Sequence, residues 1–120
     1  RLWHEMQARG LEPNMIGFSF LLSACDTGGR WEDALELLDQ MMGKGLKVTT
    51  DSFGTTMSAC VKGGQYESAI SLWDEMATHD IKPDHRCYAS AIAACENTDR
   101  DDRARVLQEE MREQNFSPST

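Results

Sequence analysis

An all-α solenoid is the fold class this sequence predicts, and three observations predict it. Residue types recur in one register: Met6, Met41, Met76 and Met111 stand 35 apart, as do Ala34, Ala69 and Ala104, then Cys25, Cys60 and Cys95, then Leu2, Leu37, Leu72 and Leu107. Within one period, 50–84, two apolar stripes follow helical spacing: Phe53, Thr56, Met57, Cys60 and Val61, then Tyr66, Ala69, Ile70, Leu72, Trp73 and Met76. Gly63-Gly64 separates the stripes and Pro83 closes the unit, because a residue without an N–H and with a fixed φ cannot continue a helix. A fixed period of this size marks helix pairs that bury their apolar faces against their neighbours.

Composition fits that architecture. The chain has 120 residues, 40% hydrophobic and 27% charged, with a net charge of −8. Taken alone, that charge argues against non-specific binding to nucleic acid or to an anionic membrane. No apolar run approaches the roughly 20 residues that span a bilayer, so membrane insertion is not expected. Residue 1 falls inside a repeat, and the chain is therefore expected to be a piece of a longer one.

The elements follow in order. Residues 1–14 match the second half of a unit, with Leu2, Trp3 and Met6 in the places of Leu72, Trp73 and Met76, and Pro13 in that of Pro83. Residues 15–49 form a complete unit. Its first helix is expected from near Gly17 to Thr27, with Phe18, Leu21, Leu22 and Cys25 apolar and Gly28-Gly29 supplying the positive-φ positions of the turn. Its second helix carries Trp31, Ala34, Leu35, Leu37, Leu38, Met41 and Met42, and Val48 stands where other units have proline. The unit 85–119 diverges most: Tyr88, Ala91, Ile92 and Cys95 keep the first stripe, and its second helix carries Ala104, Val106, Leu107 and Met111 between charges. Asn97-Thr98-Asp99 replaces the paired glycines there, which predicts the weakest turn of the stack.

With the period, the SLWDEMATHDIKPD ending and the ALELLDQMMGKGLK segment in view, the sequence resembles the pentatricopeptide-repeat family over essentially its whole length. The nearest competitor, the tetratricopeptide repeat, has a period of 34 and different Trp and Pro spacing. The resemblance implies a right-handed α-solenoid of helix-turn-helix repeats whose first helices line a groove for single-stranded RNA, one base per repeat. It further implies that the fifth and last residues of a repeat read the base edge. Those residues are Ser19 with Thr49, Gly54 with Asp84, and Ala89 with Ser119, while Asn14 is the last residue of the truncated repeat. The second residue of each repeat sandwiches the base, which places Ile16, Asp51 and Arg86 in that role. Strong readers in the family combine Asn, Ser or Thr with Asp or Asn, so this chain holds only halves of such pairs, and Gly54→Asn is expected to complete one with Asp84. A mitochondrial or plastid location, and a role in RNA processing, stability or translation, are likewise what the resemblance implies.

Charge is unevenly spread. The segments holding first helices are nearly neutral, whereas 65–84 alone carries −4. Acidity therefore falls mainly on second helices and does not exclude RNA from the groove, where Lys62 is the candidate phosphate contact.

Other constellations have structural explanations. Cys25, Cys60 and Cys95 recur at one buried-stripe position, about 10 Å apart by helix diameter and beyond disulfide reach, so small core residues are expected rather than a metal or redox centre. Cys87 has no matching cysteine in other units, and His4, His79 and His85 lack metal-ligand spacing. No phosphate loop follows a strand and no nucleophile, base and orienter can be assembled, so neither catalysis, a cofactor nor a small-molecule substrate is expected. Three classes of function stand against one another: single-stranded RNA binding; a protein-interaction scaffold within a larger complex, since solenoids present extended surfaces; and a spacer beside a catalytic domain elsewhere in a longer chain.

Overall fold

The computed structural model describes residues 4, 7–10 and 14–113. Leu2, Trp3, Met6 and Pro13 of the first half-unit, and the exit 117–120 with Ser119, lie outside the described residues. Six helices occupy 15–113: α1 (Met15–Gly28), α2 (Trp31–Gly43), α3 (Thr50–Lys62), α4 (Tyr66–Thr78), α5 (His85–Glu96) and α6 (Asp101–Glu113).

Each first helix of a pair starts on a side-chain cap. Asn14, Thr49 and Asp84 accept hydrogen bonds from the backbone N–H of Gly17, Ser52 and Cys87 at 3.0, 3.3 and 3.0 Å. Such a cap satisfies one of the orphan donors of the first turn and is worth about 1 kcal/mol. Because Asn14 caps it, α1 begins two residues before the expected Gly17.

Left-handed corners end both halves of the period. Gly29, Gly64 and Asp99 have φ of 64°, 75° and 58°, while Gly10, Gly45 and Asp80 have 71°, 74° and 57°. Gly28 is the last helical residue, so only the second glycine of the Gly28-Gly29 pair takes the positive φ. Past each corner a backbone N–H returns to the helix just ended. Arg30, Gln65 and Arg100 donate to the carbonyls of Cys25, Cys60 and Cys95 at 2.8, 2.8 and 2.9 Å, the long bond of a Schellman motif.

Packing makes the stack continuous. α1 lies on α3 and α3 on α5, so the first helices form one layer; α2 and α4 each pack on their own partner and on the next first helix. The described residues extend 43 × 28 × 24 Å. Ala34, Ala69 and Ala104 are all buried, as are Cys25, Cys60 and Cys95, in agreement with the stripes. Trp73 of α4 meets Tyr88 of α5 edge-on at 4.9 Å, joining the second and third pairs. Val106 lies on α6 and is 54% exposed, because it aligns with the exposed Ser71 and Glu36 on the outer face.

Candidate nucleic-acid interface

The three last-residue candidates share one structural position. Asn14, Thr49 and Asp84 are the N-caps of α1, α3 and α5, so they recur along one edge of the first-helix layer. Their oxygens are already engaged with the helix that follows, and Asp84 contributes Oδ1 to that bond. Of the fifth-residue candidates, Ser19 is half-buried, Gly54 is buried and Ala89 is exposed. Ser119 lies outside the described residues.

The sandwich positions behave differently from one another. Ile16 is 79% exposed at the start of α1. Asp51 and Arg86 meet: Arg86 Nη2 donates to Asp51 Oδ1 at 2.6 Å and approaches the Asp51 carbonyl at 3.5 Å. This pair ties the N-terminal turn of α5 to that of α3. Beneath it lies Gly54, where an added Cβ would stand 3.1 Å from Arg86 Nε and 3.3 Å from Cys87 Sγ. The structure thus brings Asp51, Gly54 and Arg86 into one cluster, and a side chain at 54 would have to displace its neighbours. The expected benefit of Gly54→Asn therefore depends on Arg86 and Cys87 giving way by a few tenths of an ångström.

Lys62 is paired as well. Its Nζ donates to the Asp26 carbonyl at 3.2 Å and sits 3.2 Å from Asp26 Oδ1 across the α1–α3 contact. Both groove-side cations are thereby held by acids of the preceding pair. Sequence reasoning counted these charges without pairing them. The signal was present for Asp51 and Arg86, which have opposite charge at the same position of successive units.

Two further cross-pair ion pairs lie on the second-helix side. Arg100 donates to both carboxylate oxygens of Glu67 at 2.9 and 3.2 Å, and Arg103 of α6 bonds Asp74 of α4.

All four cysteines are free thiols and buried. Burial pushes the Cys60 thiol up to about 11 and the Cys87 thiol up to about 12, which keeps both protonated and unreactive at neutral pH. His4, His79 and His85 are exposed, and among the described residues no group of three His, Cys, Asp or Glu side chains could hold a metal. No helix among them is long and apolar enough to cross a membrane.

Comparison with known proteins gives this geometry its context. The pentatricopeptide repeat domain family matches residues 1–63 and 71–120, and the PPR repeat family matches 51–81. No curated protein matches the chain. Among solved structures, the chain is similar to the pentatricopeptide repeat protein PPR10 from maize, with a TM-score of 0.72 at 22% identity over 97% of this chain. It is similar also to PPR10 in complex with an 18-nucleotide psaJ RNA element, with a TM-score of 0.71 at 22% identity over 97% of this chain. In both cases it spans 17% of the other chain's length. At that identity the likeness concerns the fold, six helices in stacked helix-turn-helix pairs. With family matches over nearly all of its sequence and helix pairs stacked as in that solenoid, this chain belongs to the pentatricopeptide-repeat family.

Proposed function

We propose that this chain binds single-stranded RNA as a segment of a longer organellar pentatricopeptide-repeat protein acting in RNA processing, stability or translation. The units 15–49, 50–84 and 85–119 each take one nucleotide along the first-helix layer. A mitochondrial or plastid setting belongs to this reading and rests on the family. One observation carries it furthest: α1, α3 and α5 pack directly on one another, and their capping residues recur at the same edge. Side chains at equivalent positions of successive units can therefore address successive nucleotides of an extended strand.

Affinity from so few units is modest, because each nucleotide adds one stacking and one edge contact and tight binding needs many linked in series. The experiment is a titration of the chain against single-stranded RNA at two salt concentrations. Salt-dependent binding is expected, and Lys62→Gln should make the salt slope shallower by up to about 0.7, the counterion release of one single-strand phosphate contact. Absence of salt-dependent binding to any single strand overturns the reading.

A scaffold function is the second reading, since solenoids present extended surfaces to partners. An open, largely apolar groove of about 480 Å³ runs between α5 and α6, lined by Ala89, Ile92, Ala93, Glu96, Gln108, Met111 and Arg112. Its equivalents between inner pairs are filled by the next helix: Met57 and Met76, which match Ile92 and Met111, are 0% and 1% exposed. A following unit of a longer chain would fill this groove in the same way, so loss of RNA binding together with retained folding would favour the scaffold reading without assigning it to this groove.

A further inference from the structure

Gly54 offers no side chain to an RNA base, yet the space above it is not vacant. Arg86 lies there, with Nε 3.1 Å and Nη2 3.4 Å from where a Cβ of residue 54 would stand. The absence of a Cβ is what admits the guanidinium. All the side-chain hydrogen bonds of Arg86 among the described residues go to Asp51, through Nη2 to Oδ1 and to the carbonyl. Its side chain is 40% exposed and that of Asp51 is 76% exposed.

The two partners differ in freedom. Arg86 rests on the Gly54 backbone, whereas Asp51 projects into solvent and is held only at its bonded oxygen. Ion pairs this exposed are weak, worth about 0.2–1 kcal/mol, so Asp51 can swing away at little cost. What remains is a planar, donor-only cation on the seam between α3 and α5. A guanidinium can stack on a base face or donate to base and phosphate acceptors. While Asp51 is engaged, its carboxylate satisfies that cation and repels phosphate.

We propose that Asp51 is a latch on Arg86, the base-sandwiching candidate at the seam between α3 and α5, and that the strand must displace it to reach the guanidinium. This rests on the RNA-binding reading above and adds to it what restrains the contact of Arg86. It also reverses the expectation for Gly54→Asn, which would crowd Arg86 out of its place.

The test is a double-mutant cycle read by RNA affinity. A labelled single-stranded RNA of mixed sequence is titrated with the parent chain, Asp51→Asn, Arg86→Gln, the double variant, and Asp39→Asn. Asp39 is exposed on α2 and removes the same charge away from the seam. Asp51→Asn should tighten binding by up to about fivefold, the fold-change that corresponds to an exposed ion pair, and Asp39→Asn by clearly less. Arg86→Gln should weaken binding, and in its background Asp51→Asn should bring no gain. If the parent binds RNA and Asp51→Asn matches Asp39→Asn, the latch is overturned while the RNA reading stands. If Asp51→Asn tightens binding equally with Arg86 absent, the gain is general charge and the assignment to Arg86 falls. If no variant binds, the RNA reading itself is overturned and the latch with it.

Discussion

The turn at Gly63-Gly64 and the turn at Thr98-Asp99 have the same backbone shape and almost no chemistry in common. Both end a first helix, both place a left-handed residue next, with φ of 75° at Gly64 and 58° at Asp99, and both close with a bond to a cysteine carbonyl. In the central turn the requirement is steric. A Cβ on Gly63 would stand 2.3 Å from Cδ1 of Trp31, which packs onto the turn from the preceding pair. In the outer turn side chains do the closing: Asn97 Nδ2 donates to the Ala93 carbonyl at 2.7 Å and Thr98 Oγ1 to that of Ala94 at 2.8 Å. The Thr98 hydroxyl satisfies a carbonyl that the helix end leaves open, while the Ala93 carbonyl accepts from the Asn97 backbone as well as its side chain. What the period conserves is a backbone conformation, and glycine is only one route to it.

The largest test of this contrast is Gly63→Ala. The added methyl must push Trp31 or the α3 end aside, an overpacking of the kind that costs about 1–3 kcal/mol. Gly28, the equivalent residue one unit earlier, has only the Arg30 side chain within reach, at 3.5 Å. Gly28→Ala should leave stability unchanged or raise it by up to about 1 kcal/mol, since alanine loses less backbone freedom on folding. Urea unfolding of both variants checks the difference. Equal midpoints would mean that Trp31 does not constrain the central turn.

Asp99→Gly should move stability in the other direction. Aspartate tolerates the left-handed region better than most residues but still meets a Cβ penalty that glycine avoids. Glycine also widens the unfolded ensemble, so the net gain is about 0.5–1 kcal/mol at most. Asp80, with φ of 57° at the exit of α4, is the same case at the other corner, and Asp80→Gly should behave alike. A loss of stability on thermal melting in both variants would show that the aspartate side chains contribute more than their strain costs.

These turns also mark where sequence reasoning reaches and where it stops. The stripes were legible because burial imposes one periodicity on each helix: Phe53, Met57 and Cys60 are all 0% exposed, as their spacing demands. Val106 shows the limit of composition: hydrophobicity alone does not say which face a residue occupies when charged residues surround it, and Val106 is 54% exposed. The replacement of glycine by Asn97-Thr98-Asp99 suggested weakness, since propensity is read residue by residue while carbonyl satisfaction depends on where side chains reach. At the candidate site, the residues came from family resemblance and their mutual geometry did not. Asp51, Gly54 and Arg86 entered as separate roles, yet a bare Cα, an arginine and an acid one period apart form a single cluster. Lys62 was treated as free because its partner, Asp26, lies in the previous unit.

The smallest expected effect concerns the thiols beside the two turns and shows only in alkali. Cys60 is pushed from 9.0 up to about 11 by burial. Cys95 is also raised by burial, but the charges of Arg103 and Arg100 pull against the rise. In both cases the folded state holds its proton more tightly than the unfolded chain. Above pH 9.0 the unfolded chain loses protons that the folded one keeps, so stability present at lower pH is lost as pH rises, for Cys60 between 9.0 and about 11. At pH 7 to 8 neither thiol contributes any pH dependence. Cys60→Ala should therefore flatten the alkaline decline, and Cys95→Ala should flatten it less, because burial raises Cys95 less and Arg103 and Arg100 oppose the rise, against Asp74 and Glu96. Unfolding midpoints at pH 8 and pH 10 for the parent chain and both variants measure it. An equal or larger change for Cys95→Ala would show that the arginines do not influence the thiol, and that the two turns are electrostatically alike despite their different chemistry.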